Sequence, residues 1–68
     1  KIGYKILENV YEKVMLYRSS DRTAFRLCQE SFRDKCVRWS ISYPSKEHAE
    51  RAWHMDKVTW IERRPIPG

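Results

Sequence analysis

The clearest pattern along the chain is a strict alternation of apolar and polar side chains between residues 36 and 43. The apolar set, at every second position, consists of Val37, Trp39, Ile41 and Tyr43. The intervening set is small or polar and consists of Cys36, Arg38, Ser40 and Ser42. A period of two predicts a strand with one face buried. Pro44 follows and ends this strand, because proline cannot donate to a sheet.

The next segment, residues 45 to 55, has the period of an amphipathic helix. Ala49 and Trp53 are four residues apart and therefore share one face of such a helix. Ser45 occupies the N-cap position, and Glu47 lies in the first turn, where the helix dipole favours an acidic side chain. The sequence therefore predicts a single helix in the second half of the chain.

Strand-like segments flank these two elements. Residues 4–11 (YKILENVY) and 12–18 (EKVMLYR) are both rich in strand-forming side chains, and residues 58–63 (VTWIER) are predicted as the final strand. The closing prolines remove backbone donors. We therefore predict one domain over residues 1–64, with residues 65–68 as an extended tail or the stub of a linker.

Residues 19–36, SSDRTAFRLCQESFRDKC, fit two structures. As a helix at about 21–35, the segment gathers Phe25 and Phe32 in one apolar arc and leaves arginines on the other side. As a strand between two loops, it alternates Phe25 and Leu27 with Arg26. We favour the strand, because Ser-Ser-Asp is typical of a turn and sequential antiparallel strands commonly pair.

The predicted fold class is therefore α+β. A small antiparallel sheet of four or five strands packs on one face against a single helix at about 45–55. The alternative fold has a second helix at about 21–35. In either fold the three tryptophans are predicted to form the core, since a 68-residue domain needs large side chains to bury enough surface.

Composition narrows the classes of function. The net charge is +5 and the isoelectric point is near 9.5, which suits a polyanion or an acidic protein as partner. The longest uncharged apolar run, Val14 to Tyr17, is far too short to span a membrane. With no secretory signal visible, we expect a cytoplasmic protein with reduced thiols.

Enzyme and metal chemistry find little support in the sequence. Cys28, Cys36, His48 and His54 superficially match a zinc finger, but real fingers hold their cysteines two to four residues apart. No nucleophile, base and orienting group are grouped, and no glycine-rich loop is present. We expect no enzyme activity, no cofactor and no metal. A disulfide across the hairpin is geometrically conceivable, although reduced cysteines are the expectation.

The favoured function is nucleic-acid binding, with DNA as the expected partner. In the predicted fold the helix covers Phe25, Leu27 and Trp39, so the opposite sheet face presents arginine and serine to phosphates or base edges. The candidate contact residues are Arg26, Arg38, Ser40, Ser42, Arg22 and Arg33. Base stacking of the RNA type is not expected, because Trp39 and Tyr43 are assigned to the core.

A protein-binding adaptor or inhibitor, such as a viral accessory protein, is the alternative function. The first strands have apolar side chains on both faces, which leaves tyrosines exposed. Tyrosine and arginine are enriched at binding hot spots. The candidate interface residues are Tyr11, Tyr17 and Arg18. An exposed sheet edge would also allow the protein to be an edge-paired homodimer instead of a monomer.

Overall fold

The fold is a five-stranded antiparallel meander with one helix, seen in a computed structural model that describes residues 2–66. The elements are β1 (Ile2–Glu8), β2 (Glu12–Arg18), β3 (Phe25–Ser31), β4 (Cys36–Ser40), α1 (Lys46–His54) and β5 (Trp60–Pro65). The strands lie in the order β1-β2-β3-β4-β5. The predicted α+β class is confirmed, and the ambiguous segment forms a turn, a strand and a loop instead of a second helix.

The two turns on either side of β2 are organised by single polar side chains. Asn9 Oδ1 accepts hydrogen bonds from the backbone N–H groups of Tyr11 and Glu12, at 2.8 and 3.0 Å. In the β2–β3 turn, the Asp21 carboxylate accepts from the hydroxyls of Ser19 and Thr23. Where the chain reverses direction, these short polar side chains supply hydrogen-bond acceptors that the backbone itself does not, which is why Asn and Asp favour turns.

Helix α1 begins as the sequence predicts and covers one face of the sheet. The Ser45 hydroxyl accepts from the backbone N–H of His48 at 3.1 Å, which is an N-cap bond. Ala49 is fully buried against the sheet, where its small side chain allows close approach. The fully buried core consists of Val14, Leu16, Leu27 and Ala49, and Trp53 and Trp60 are among the side chains packed against it.

The register between β3 and β4 places Trp39 on the face opposite the helix. Cys28 pairs with Trp39 and Gln29 pairs with Arg38, and directly paired residues share a face. Leu27 packs in the core with Ala49 of α1, and Gln29, two residues further on, lies on the same side of the sheet. Arg38 therefore lies on the helix side as well. The prediction that Trp39 lies in the core and Arg38 on the outer face is therefore wrong. Alternation shows that the segment is a strand, but the hairpin loop determines which of the two alternating sets of side chains faces the core.

A β-bulge interrupts the alternation at the end of β4. Cys28 pairs with Trp39 and Phe25 forms a bridge to Tyr43, so Arg26 and Leu27 stand opposite the three residues 40–42. One extra residue on one strand reverses the sides on which later residues point. Tyr43 therefore packs against the core cluster, although Trp39 faces away from it.

Side chains take over the hydrogen bonding where the bulge separates the two strands. The Ser40 hydroxyl accepts from the Leu27 N–H at 2.8 Å and donates to the Ile41 carbonyl at 2.8 Å. Arg26 Nε donates to the Ser40 carbonyl at 3.0 Å. Ser40 is fully buried. The prediction that Ser40 lies on an exposed face is therefore wrong, and its hydroxyl is committed to the backbone.

Strand β5 lies two residues further along the chain than predicted. It reaches Pro65, which pairs with Cys36, and the Ile66 N–H donates to the Lys35 carbonyl at 2.9 Å. Proline is tolerated here because β5 is an edge strand. Residues 67–68 of the predicted tail lie outside the described residues. Within residues 2–66, no helix has the length and apolar character needed to cross a membrane.

Candidate functional site: the open face of the sheet

The sheet face away from α1, which we call the open face, carries no covering element among residues 2–66. Three rows of paired residues cross it. The middle row runs from β1 to β5 as Lys5, Met15, Cys28, Trp39 and Glu62. The row on the side of the β3–β4 loop is Glu8, Lys13, Glu30, Val37 and Arg64. The row on the side of the β2–β3 turn is Gly3, Tyr17 and Arg26.

An aromatic cluster occupies the centre of the open face. The ring centroids of Tyr17 and Trp39 are 5.5 Å apart, and the two ring planes are tilted by 37°. This geometry falls within the range of favourable aromatic pairs. The Tyr17 ring also lies against β1, since a Cβ atom added at Gly3 would be only 2.8 Å from Tyr17 Cε1. The absence of a side chain at Gly3 therefore lets the Tyr17 ring lie over the sheet.

Arg26 is held beside this cluster by three contacts. Its guanidinium carbon lies 5.1 Å from the centre of the Trp39 ring, which is cation–π distance. Its Nε donates to the Ser40 carbonyl, and its Nη2 lies 3.4 Å from the Glu62 carboxylate. The ion pair with Glu62 is about one-third exposed, so it contributes at most about 1 kcal/mol. Arg26 is thus held in place beside the aromatic cluster, and an anionic ligand could replace Glu62 as its partner.

A hollow of about 270 Å³ opens at one end of the open face, beside the bulge. Its lining comes from β2, the β2–β3 turn, β3, β4 and the segment after β4. The lining residues are Tyr17, Arg18, Ser19, Ala24, Arg26, Trp39 and Ser42. Sites for drug-sized molecules span about 300–1,000 Å³, so this hollow suits a smaller group such as one aromatic ring.

The hollow brings together residues from both sets of candidates. Arg26 and Ser42 come from the predicted nucleic-acid contacts, whereas Tyr17 and Arg18 come from the predicted protein interface. Ser42 is exposed. Part of each predicted surface therefore borders the same hollow.

Arg38 lies apart from this site, on the helix side of the sheet. Its guanidinium carbon is 4.4 Å from the centre of the Trp60 ring, and its Nε donates to Gln29 Oε1 at 2.9 Å. Gln29 in turn donates to Glu12 at 2.7 Å. The prediction that Arg26 and Arg38 lie side by side on one face is wrong, because the register places them on opposite faces.

The remaining candidates lie on the turns at the two ends of the sheet. Arg22 has a positive φ of 64° in the β2–β3 turn, next to the hollow but outside its lining. Arg33 lies in the β3–β4 loop at the other end, where its guanidinium carbon is 5.8 Å from the centre of the Tyr11 ring. Tyr11 is 60% exposed. Tyr11 and Arg33 are thus separated from the aromatic cluster by the length of the strands.

The centre of the open face is uncharged at neutral pH. Burial raises the pKa of the Cys28 thiol to about 11, and Glu30 raises it further while Arg26 opposes the shift. Burial is also the main cause that raises the pKa of Tyr17. Charges surround this centre. The cations are Lys5, Lys13, Arg26 and Arg64, and the anions are Glu8, Glu30 and Glu62.

The cysteines do not form a site together. Both are free, and they lie on opposite faces, since Cys28 pairs with Trp39 on the open face and Cys36 pairs with Ser31 on the helix side. A cross-strand disulfide is therefore not formed. In the described part of the chain, no cluster of three or more His, Cys, Asp or Glu side chains could hold a metal ion.

Trp39 is the site residue that sequence reasoning missed. The alternation around it marks a strand correctly, but the same pattern fits either face being buried. The signal that could have assigned the face is the length of the β3–β4 loop, which fixes Ser31 opposite Cys36.

Comparisons with protein-family models, curated proteins and solved structures find no match to this chain.

Proposed function

We propose that this protein is a small non-enzymatic binding module whose open face binds single-stranded nucleic acid. The observation that carries the proposal is the pair of Trp39 and Tyr17 on a sheet face that no described element covers. Single-strand binding proteins commonly stack unpaired bases on such aromatic side chains, at about 1–3 kcal/mol per base. Arg26, fixed beside Trp39, supplies a cation for the backbone phosphates.

This arrangement favours single strands over duplex DNA. Reading a duplex requires side chains that project into a groove and reach base edges. The predicted row of arginine and serine side chains would have suited that role, but Arg38 and Ser40 face the helix side. What remains on the open face is an apolar, aromatic centre surrounded by charges of both signs. The aromatic centre suits exposed bases, and the lysines and arginines around it suit flanking phosphates.

Binding of a labelled oligothymidylate, followed by fluorescence anisotropy, tests this proposal. Trp39→Leu keeps an apolar side chain but removes the stacking surface, and should weaken binding roughly 5- to 150-fold. Arg26→Ala should also weaken it and lower the salt dependence, because one phosphate contact is lost. Arg51→Ala is the matched control, since it removes the same charge from the exposed side of α1.

Comparing Arg26→Ala with Arg51→Ala distinguishes a specific contact at Arg26 from a general effect of the protein's positive charge. If Arg26→Ala and Arg51→Ala weaken binding equally, net charge alone attracts the nucleic acid and the open face has no special role. If Trp39→Leu binds like the natural protein, base stacking on this face is refuted. Unfolding midpoints measured for each variant keep loss of binding separate from loss of structure.

A protein partner is the second candidate, and the acidic residues of the open face favour it. Glu30 and Glu62 alternate with the cations across the strands, which would repel phosphates but could pair with a mixed-charge protein surface. Tyr, Trp and Arg together are typical of binding hot spots. An adaptor or inhibitor would lose its partner in Trp39→Leu, with much weaker salt dependence than phosphate binding shows.

A further inference from the structure

A second hollow lies on the helix side of the sheet, at the end where the β3–β4 loop joins the two strands. Its volume is about 310 Å³, near the lower limit of about 300 Å³ for small-molecule sites. None of the described residues of α1 lines it, so the helix leaves this end of the face uncovered. We call it the arginine pocket, and its lining residues are Gln29, Ser31, Asp34, Cys36, Arg38 and Arg63. Because this lining is mostly polar, a polar ligand fits it better than an apolar one.

Two arginines stand next to each other in the arginine pocket. Arg38 pairs directly with Arg63 across β4 and β5, and directly paired side chains share a face. Like charges in this position repel each other and destabilise a sheet. The Arg63 side chain makes no hydrogen bond or ion pair with other residues between 2 and 66. An anion bound between the two guanidinium groups would replace their repulsion with attraction.

Arg38 is already held in place for such a ligand. Its Nε and Nη2 both donate to Gln29 Oε1, and its guanidinium group lies over the Trp60 ring. Arginine has five N–H donors, and these two bonds leave three of them without an acceptor among residues 2–66. A donor group that is fixed beforehand loses little conformational entropy on binding, which favours affinity.

Asp34 determines which anions the arginine pocket accepts. The Ser31 hydroxyl donates to Asp34 Oδ2 and accepts from the Asp34 N–H, both at 3.2 Å, so the β3–β4 loop holds this residue in place. A carboxylate only accepts hydrogen bonds, so it repels a fully deprotonated oxyanion such as sulfate. Hydrogen phosphate differs, because it has negative oxygens for the arginines and also a hydroxyl that can donate to Asp34.

We propose that the arginine pocket binds a small phosphate anion that carries a hydroxyl group. This anion is either hydrogen phosphate itself or a hydroxyl-bearing phosphomonoester such as a sugar phosphate. Arg38 and Arg63 contact the phosphate oxygens, for which the planar guanidinium group is suited, and Asp34 accepts from the hydroxyl. The pocket lies on the face opposite the proposed nucleic-acid surface, so this site goes beyond that function and does not depend on it.

The test is an NMR titration of the protein with phosphate, sulfate and ribose 5-phosphate at constant ionic strength, which keeps general screening equal. Phosphate should shift the signals of Arg38 and Arg63 and bind about tenfold more tightly than sulfate, which corresponds to about 1.4 kcal/mol. Asp34→Asn supplies an amide donor and removes a negative charge, so it should tighten sulfate binding and abolish this preference. Tighter binding of ribose 5-phosphate than of phosphate identifies an organic phosphomonoester as the ligand, and the reverse order identifies the free ion.

Two arginine variants test whether the site is local. Arg63→Gln should weaken phosphate binding about tenfold. Arg51→Gln removes the same charge from the exposed side of α1 and should leave phosphate binding nearly unchanged. Equal losses in the two variants, or signal shifts that avoid the arginine pocket, would refute the site. Equal affinities for phosphate and sulfate would refute the selection by Asp34, and unfolding midpoints of each variant keep loss of binding separate from loss of structure.

Discussion

Replacing Ser40 by alanine should destabilise the fold, because its hydroxyl closes the gap that the bulge leaves between β3 and β4. That hydroxyl accepts from the Leu27 N–H at 2.8 Å and donates to the Ile41 carbonyl at 2.8 Å, in a fully buried position. Ser40→Ala leaves the Leu27 donor without this partner. An unsatisfied buried donor costs about 1–3 kcal/mol.

This loss is a substantial part of the stability available to so short a chain. At about 0.05–0.15 kcal/mol per residue, a domain of 68 residues has roughly 3–10 kcal/mol in total. With a urea m-value of about 1 kcal/mol/M, typical of small proteins, Ser40→Ala should lower the unfolding midpoint by about 1–3 M. Tryptophan fluorescence follows the transition, since Trp53 and Trp60 pack against the core.

Ser42→Ala is the matched control for this measurement. Ser42 is exposed and its hydroxyl has no hydrogen bond within residues 2–66, so its removal should change stability by less than about 0.5 kcal/mol. Equal midpoints for Ser40→Ala and Ser42→Ala would refute the role assigned to the buried hydroxyl. They would also refute the description of the bulge as a gap that Ser40 and Arg26 bridge.

Three further predictions concern the open face. Glu62→Gln frees Arg26 from its ion pair and removes an anion, so oligothymidylate binding should tighten severalfold while stability falls by no more than about 1 kcal/mol; unchanged or weaker binding would contradict this reasoning. Gly3→Ala places a Cβ atom 2.8 Å from Tyr17 Cε1, so the ring must shift and oligothymidylate binding should weaken. Binding equal to that of the natural protein would show that the Tyr17 ring position is unimportant. Because the pKa of Cys28 is raised to about 11 and the residue is only 6% exposed, iodoacetamide at about pH 8 should label it far more slowly in the native protein than in urea. Similar rates in the two states would show that the thiol is accessible.

The order and type of the elements could be predicted from local signals in the sequence. Ser45 caps the helix as expected, and its period places Ala49 against the sheet. The turn chemistry of Ser19 to Asp21 correctly favoured a meander over a second helix. These features depend on residues that are close together along the chain, so a single sequence contains the information.

The face on which each residue of β4 lies could not be predicted in the same way. Which residues face the helix depends on how β4 pairs with β3, and a change of one residue in that pairing reverses every side chain. The bulge at residues 40–42 then reverses the alternation again, so Trp39 and Tyr43 point to opposite sides. Because apolar residues alternate without a break from Val37 to Tyr43, the sequence gives no sign of this bulge.

The wrong assignment of faces on β4 also affected the prediction of the candidate site. Arg26, Ser42, Tyr17 and Arg18 were all selected from the sequence, and all line the hollow. Arg38 and Ser40 were selected with them but lie on the helix side, where Arg38 contacts Trp60 and Ser40 bonds to the backbone. The sequence pattern assigns Trp39 to the core, so the aromatic surface on the open face can be recognised only from the strand register.

The indole N–H signals of the three tryptophans in a nitrogen–proton NMR spectrum test the central claim most directly. Trp39 lies on the open face, whereas Trp53 and Trp60 pack on the helix side. Titration with unlabelled oligothymidylate should shift the Trp39 signal progressively and leave the Trp53 and Trp60 signals nearly unchanged. Shifts confined to Trp60, where Arg38 lies over the ring, or no shift of Trp39 at saturation, would contradict binding at the open face.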